Sequence, residues 1–403
     1  MKKRLKILML VPFLPNISTS GGQTRWYNIL KYLPKDHEIT LYSLVKDDSE
    51  KKFISPLKKY CKKVKVFRRS ESPWTLRNIL LAIFTWYPLL VVRNFSLGER
   101  RALRRELKEE KYDLIHAETF YVMPHLPKTT VPTILVNPTI EYLVYKHYVS
   151  NEVPLILRPF FMLDVFKLRF WEKYYWRRTN KSVAVSNEDK KIMESEIAGI
   201  DVAVIPNGID VDYFAEKKVE KKIPPRVLFV GNFKWLQNTE AADILINKIW
   251  PQIVKEVSGA RLWIVGMNIP ERIHALAGKR HDIEVTEAIP DIRDAYKAAT
   301  VMSVPLRGPG GTRLKVLEAL ASALPVVSTS IGVMGLGLTA GKHVLVADTN
   351  TGLAKESIKL LKNPKLAEKI GVEGQKFVAK NYDWKSIIKL HDNIYNNILK
   401  KEP

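Results

Sequence analysis

Gly308-Pro309-Gly310-Gly311-Thr312-Arg313-Leu314-Lys315-Val316-Leu317-Glu318-Ala319-Leu320, followed by Leu324-Pro325-Val326-Val327-Ser328-Thr329, reads as a glycine-rich loop that runs into a helix and then a short buried strand. Gly310 and Gly311 permit positive φ and close approach of the backbone to a ligand. Thr312 can cap the helix, whose first turn offers free N–H groups and a partial positive charge. All of these favour a phosphate, and Arg313 and Lys315 add full charges at the same place. Leu317, Leu320, Ala321 and Leu324 follow helical spacing toward a sheet, while Glu318, one turn beyond Leu314, lies on a face that can reach a sugar hydroxyl. The competing reading of Glu318 is a solvent-exposed i,i+3 pair with Lys315. A glycine-rich turn before a helix is a weak signal by itself and takes its weight from the rest of the chain.

Outward from this stretch, short runs rich in Val and Ile alternate with helical patterns. They fall at 7–11, 39–44, 64–67, 114–117, 133–136, 182–185 and 203–205, then at 227–230, 262–265, 283–286, 301–304, 326–328 and 343–347. Buried strands separated by helices imply α/β architecture with parallel sheets. The series breaks at the Lys/Glu-rich, proline-closed stretch 216–225, which reads as a linker between two Rossmann-like halves. The expected domains are 1–215 and 216–385, with the amphipathic segment 386–403 crossing back over the first. Ligands are expected at the carboxyl ends of the strands and in the cleft.

The chain has 403 residues, too long for one ordinary core. Its single cysteine, Cys61, allows no internal disulfide, and no signal-peptide pattern precedes the strand at 7–11, so a cytoplasmic protein is expected. The apolar run 79–92 is broken by Pro88 and falls short of the ~20 residues that span a bilayer. The net charge of +23 is uneven: residues 51–111 hold 17 Lys/Arg against 5 Asp/Glu, which makes a patch and not a uniform coat. Basic residues interleave with Trp74, Trp86 and Tyr87, and again from Arg158-Pro159-Phe160-Phe161 to Tyr175-Trp176-Arg177-Arg178. Peripheral contact with an anionic membrane explains this better than nucleic acid, for which no binding motif is present.

At the end of the strand at 114–117, His116 and Glu118 alternate to the same side, where either can steer a reacting hydroxyl. Glu141, in Pro138-Thr139-Ile140-Glu141-Tyr142, is a further candidate of the same kind. The Asp210-Val211-Asp212 string follows Pro206-Asn207-Gly208 and reads as turn and capping chemistry, not as a metal site. No His/Cys cluster has metal-ligand spacing, so neither a metal nor any other cofactor is expected.

An ordered series of motifs resembles the glycosyltransferase family 4 group of GT-B nucleotide-sugar transferases. It comprises Gly21-Gly22, Tyr112-Asp113-Leu114-Ile115-His116-Ala117-Glu118, Ala184-Val185-Ser186-Asn187-Glu188-Asp189, Ile205-Pro206-Asn207-Gly208-Ile209-Asp210, Phe229-Val230-Gly231-Asn232, Ile289-Pro290-Asp291-Ile292, the glycine-rich stretch and Asn381-Tyr382-Asp383-Trp384. The resemblance implies a GT-B fold whose two domains face across a cleft. It further implies a nucleotide-sugar donor on the second domain, a glycan or lipid-linked acceptor on the first, and retention of anomeric configuration in envelope or exopolysaccharide synthesis. By position, Glu318 would hold the donor ribose, the backbone around Gly311, Thr312 and Leu314 would touch the diphosphate, and Gly22 would approach it from the first domain. Glu118 stands where family members commonly carry a histidine.

Two departures follow from the same comparison. The first glutamate of the family's Glu-x7-Glu pair is Gly310 here, and the usual cations of the donor domain, in the segment that opens at Gly231, fall at Asn232 and Gln237. A charge-assisted bond to phosphate contributes roughly 1.5–3 kcal/mol, so the loss of two requires replacement, for which Arg313, Lys315 and Lys234 are at hand. The alternatives are a GT-B nucleotide-sugar epimerase and a non-catalytic nucleotide-sugar or glycan-binding protein.

Overall fold

The computed structural model describes residues 4–17, 21–217, 223–308 and 313–400. Gly310, Gly311 and Thr312, and part of the linker, lie outside the described residues. The chain forms two compact units: one runs to Asn207 and resumes at Trp384, and the other lies between Gly208 and Asp383.

In the first unit, β1 (Lys6–Val11), β2 (Glu38–Val45), β3 (Lys63–Arg68), β4 (Leu114–Glu118), β5 (Thr133–Asn137), β6 (Lys181–Ala184) and β7 (Val202–Val204) form one parallel sheet in the order β3-β2-β1-β4-β5-β6-β7. In the second, β8 (Arg226–Asn232), β9 (Arg261–Met267), β10 (Ile283–Glu287), β11 (Val301–Val304), β12 (Val326–Ser328) and β13 (Leu345–Val346) are parallel in the order β10-β9-β8-β11-β12-β13. Helices cover both faces of such sheets, which is why the central strands read as unbroken apolar runs. Ile7 to Val11, for example, are wholly buried. The strand expected at 343–347 is shorter, because His343 N donates to Thr339 O and Gly341 N to Val344 O in a turn that consumes its first residues. Strand order reverses beside β1 and beside β8, and such switch points open a crevice at the carboxyl ends of the strands.

Helix Trp384–Lys400 completes the core of the first unit. Trp384, Ile387, Ile388, Tyr395 and Ile398, at helical spacing, pack with Leu5, Ile7, Met9, Ile29 and Leu30. His37 Nε2 lies 2.7 Å from Asp392 Oδ1 and pins the same helix from its polar side. Helix Val211–Glu216 contributes Val211 and Phe214 to the core of the second unit, and the sequence-based boundary at 215/216 falls just inside its end. Asp210 caps that helix by accepting from Tyr213 N at 3.2 Å.

Helix Leu314–Ala321 is held by helix Pro364–Asn381 through two glycines. A Cβ on Gly371 would lie 2.2 Å from the carbonyl oxygen of Ala323, and one on Gly374 would lie 2.6 Å from Leu320 Cδ2. The Ala323 carbonyl has little room to give, since its backbone already sits at φ 57° in a tight turn. Gly371→Ala is expected to lower stability by about 1–3 kcal/mol, the usual cost of overpacking. Urea unfolding that kept the wild-type midpoint would show that the two helices are not in fixed contact.

Candidate functional site

The carboxyl edge of the second sheet gathers cations around helix Leu314–Ala321. Lys315 Nζ donates to Asn238 Oδ1 at 2.6 Å and lies 4.6 Å over the Phe229 ring. Burial pushes this ammonium down to about 7, with the Arg313 charge acting in the same direction. Arg313 occupies the helix N-cap and donates from Nη2 to Gly308 O at 2.8 Å. Leu314 opens the helix itself. Glu318 accepts from Tyr296 OH at 2.7 Å while Lys315 Nζ goes to Asn238, so the expected solvent-exposed i,i+3 pair does not form. Burial raises its carboxyl above the ordinary range, which leaves a half-buried acceptor one turn below the cations.

The end of β8 forms the facing wall. Asn232 Oδ1 accepts from Lys234 N and from Asn268 Nδ2, each at 3.1 Å, while Asn238 Nδ2 donates to Asn232 O at 2.7 Å. Lys234 is exposed and Gln237, in helix Leu236–Ile244, is half-buried. Gly231 is close against Asn238, since a Cβ would sit 3.1 Å from Asn238 Cγ and would have to displace that side chain slightly. Gly266 on β9 is tighter still, at 1.8 Å from the Gly231 oxygen. Asn238 and Gly266 escaped the sequence reading. Asn238 joins β8 to Lys315 across 77 positions, a contact that no local pattern announces.

In the first unit, Gly22 lies in the first turn of helix Gly21–Tyr32, and among the described residues a Cβ there would meet Trp26, at an ordinary contact distance of 3.5 Å.

His116 and Glu118 do point to the same side of β4, with His116 Nε2 2.9 Å from Glu118 Oε1, but both are completely buried. Trp26 Nε1 donates to the other Glu118 oxygen at 2.9 Å, Arg25 Nε lies 3.7 Å from Oε1, and Tyr395 OH is 2.6 Å from His116 Nδ1. Arg25 continues to Asn207 Oδ1 and Pro206 O. The sequence reading has either side chain steer an acceptor hydroxyl; in this structure neither reaches the surface. With His116 Nε2 and Glu118 Oε1 spent on each other and the remaining two polar atoms on Trp26 and Tyr395, the pair is a buried tie between helix Gly21–Tyr32 and helix Trp384–Lys400. Alternation gave the side correctly and could not show what covers it.

Glu141 is different. It opens helix Glu141–Glu152 after β5, is half-buried, and accepts from Tyr121 OH at 3.2 Å. Burial pushes its carboxyl up to about 7. Below it, the wholly buried Glu172 accepts from the backbone N–H groups of Glu141 and Tyr142, each at 2.9 Å, and fixes the start of that helix. Glu172 lies on helix Arg158–Arg178 and was not visible as a site residue in the sequence. The turn between β4 and Tyr121 contains Thr119 at φ 65°, an unusual conformation for a threonine that redirects the chain between Glu118 and the buried Tyr121.

Comparison with known proteins places these features. The family model for Glycosyltransferase Family 4 matches residues 19–213, and that for Glycosyl transferases group 1 matches residues 224–363. An uncharacterized 44.6 kDa protein in the cps region of Klebsiella pneumoniae is 24% identical over 95% of this chain and 97% of its own length. A phosphatidyl-myo-inositol mannosyltransferase of Mycobacterium tuberculosis is 25% identical over 54% of this chain and 59% of its own. Anabaena Alr3699/HepE, solved in complex with UDP and glucose, has the same fold, with a TM-score of 0.66 at 15% identity over 98% of this chain and all of that one. From its amino-terminal Family 4 region to its carboxy-terminal group 1 region, across two parallel-sheet Rossmann-like units, the chain belongs to the GT-B glycosyltransferases.

Proposed function

We propose that the protein transfers a glycosyl group from a nucleotide-sugar to a glycan or lipid-linked acceptor during assembly of a cell-envelope or extracellular polysaccharide, with retention and without a metal. The observation that carries this reading is the convergence of Arg313, Lys315 and Glu318 on one helix at the carboxyl edge of the second sheet. Lys315 and Arg313 would bind the diphosphate and stabilise it as it leaves, doing the work of the cations absent at Asn232 and Gln237. Glu318 would accept from the ribose. Lys234, Gly231 and the backbone of Leu314 complete the donor set, with Gly311, Thr312 and Gly22 assigned by position in the family pattern. The cps-region relative and the mannosyltransferase that acts on a phosphatidyl-myo-inositol support the envelope context and a lipid-linked acceptor.

Lys315 gives the reading a pH signature. With its ammonium pushed down to about 7, a growing fraction is neutral as pH rises above that value, and an arriving diphosphate must restore the proton. UDP or GDP affinity should therefore fall from pH 6.5 to 8.5, with proton uptake detectable by calorimetry in buffers of different ionisation enthalpy. Lys315→Met should abolish the uptake. Replacing both Arg313 and Lys315 by alanine should cost about 1.5–3 kcal/mol per lost charge-assisted bond. Wild-type affinity in the double variant would remove the phosphate assignment.

On the acceptor side, the carboxyl of Glu141 is poised near neutrality, where a group both accepts and returns a proton. Glu141→Gln should reduce transfer by about 10²-fold, within the usual range for a lost acid–base group, while donor hydrolysis without acceptor continues, both measured in EDTA. Equal loss of both reactions would place Glu141 outside acceptor chemistry. Donor that is interconverted with no acceptor present would identify the epimerase instead.

The same reading includes contact with an anionic membrane. No helix among the described residues is long and apolar enough to cross a membrane. Helix Leu76–Phe84, helix Arg158–Arg178 and the turn that leads into the latter nevertheless present large exposed apolar side chains, with Phe84 and Ile156 82% exposed, Phe160 74% and Leu76 73%. Trp86 packs edge-on against Phe166 and Phe170, and Lys167 Nζ caps the first helix through Ala82 O and Thr85 O, so the face is built and not frayed. Exposed Arg77, Arg177 and Arg178 supply the positive charge. A face of this kind fits the interface of a bilayer, with each cation near an anionic surface worth about 1 kcal/mol. Sedimentation with phosphatidylglycerol vesicles should exceed that with phosphatidylcholine and should collapse in a Phe84→Ser, Phe160→Ser variant. Equal recovery with both lipids, or an unaffected variant, would refute the contact.

A further inference from the structure

We propose that Arg69 and Arg93 form an anion site in the first unit that takes a phosphate group of the acceptor. Arg69 follows β3, Arg93 ends helix Leu89–Arg93, and Ser70 N donates to Arg93 O at 3.2 Å, which joins the two segments. The Arg69 guanidinium lies 4.9 Å over the ring of Phe13, just after β1, and donates from Nη1 to Ser70 O at 3.1 Å. Arg69 is 8% exposed, and the Nε of each arginine is buried without a partner.

Among the described residues the other buried arginines, Arg25 and Arg226, face carboxylates, although each also leaves a guanidinium nitrogen without a hydrogen-bond partner. Arg226 forks onto both oxygens of Glu284, and Arg25 faces Glu118. Among the described residues Arg69 and Arg93 form no such pair. The acids whose field reaches Arg69 are engaged elsewhere: Asp47 Oδ1 accepts from Ser49 N at 2.9 Å, and Glu50 Oε2 from Lys46 N at 2.7 Å. Burial and the Arg93 charge together hold Arg69 down to about 10, so the fold keeps two like charges close at a cost that a bound anion would offset.

Position assigns the anion to the acceptor. Phe13, Arg69 and Tyr121 follow β1, β3 and β4 at the carboxyl edge of the sheet, and Arg93 lies within the electrostatic reach of Tyr121, whose hydroxyl donates to Glu141. Two guanidinium forks suit the two charges and several oxygens of a phosphate or diphosphate better than a single carboxylate. The half-buried Arg93 leaves the site open on one side. The word acceptor rests on the transferase reading, whereas the anion site itself does not.

The test uses the full chain with inorganic pyrophosphate, farnesyl diphosphate and uncharged farnesol as probes. Calorimetry should show binding of the two diphosphates and none of farnesol. Arg69→Gln and Arg93→Gln should each weaken farnesyl diphosphate by about tenfold or more, with partial recovery in Arg93→Lys, as expected for a charge-assisted contact. UDP affinity should stay at the wild-type value. Tighter binding of farnesyl diphosphate than of pyrophosphate assigns the site to a lipid-linked acceptor, and equal binding to a phosphate on any carrier. Should the variants fold poorly, pyrophosphate should still slow phenylglyoxal modification of Arg69 and Arg93 in the wild-type protein. Unprotected arginines, unchanged diphosphate affinity in folded variants, or a parallel loss of UDP affinity would each overturn the site. Absence of any nucleotide binding with protection intact would instead sink the transferase reading and leave the anion site standing.

Discussion

The desolvated ammonium of Lys315 is the constraint on which the second unit turns. A lysine is partly withdrawn from water most readily where its surroundings are rigid, and Asn238, the Phe229 ring and the start of a helix enclose the half-buried Lys315. That enclosure depends in turn on backbone contacts that leave no room for side chains, at Gly231 against Gly266 and at Gly371 against Ala323. Glycines distant in sequence thus fix the position of a charge that none of them touches. Preorganisation of this kind lets a cation act on a leaving diphosphate without rearranging at the moment of reaction.

The first unit uses charge in the opposite way. Arg25, His116 and Glu118 are sealed in a network that ties two helices to β4, and its buried hydrogen bonds contribute rigidity, although Arg25 Nε and Nη2 lie in it without hydrogen-bond partners. Glu141, one strand further along, keeps part of its surface open while the buried Glu172 holds the helix start beneath it. The two carboxylates at the ends of β4 and β5 therefore have separate tasks, set by what covers each.

Much of the architecture was legible because parallel strands and their covering helices write their burial directly into local pattern. The runs at 7–11 and 227–230 lie in the central strands of the two sheets, and the cationic helix start follows from its own residues. The parts that could not be read are long-range. Nothing near Asn238 signals Lys315, nothing near Glu141 signals Glu172, and nothing near His116 signals Tyr395, which closes over it from 279 positions away. Arg69 and Arg93 looked like two members of a basic surface stretch, and only packing separates them from their solvated neighbours.

The return of helix Trp384–Lys400 to the first unit makes the second unit an insertion within it. On the ribosome, every strand of the second sheet emerges before the residues that finish the first core. The segment up to Asn207 must then wait, with the apolar faces of Ile29 and Leu30 uncovered, until Trp384 and Tyr395 leave the exit tunnel. Exposed apolar surface invites aggregation for as long as it lasts, so the inserted unit sets the length of that hazard during biosynthesis.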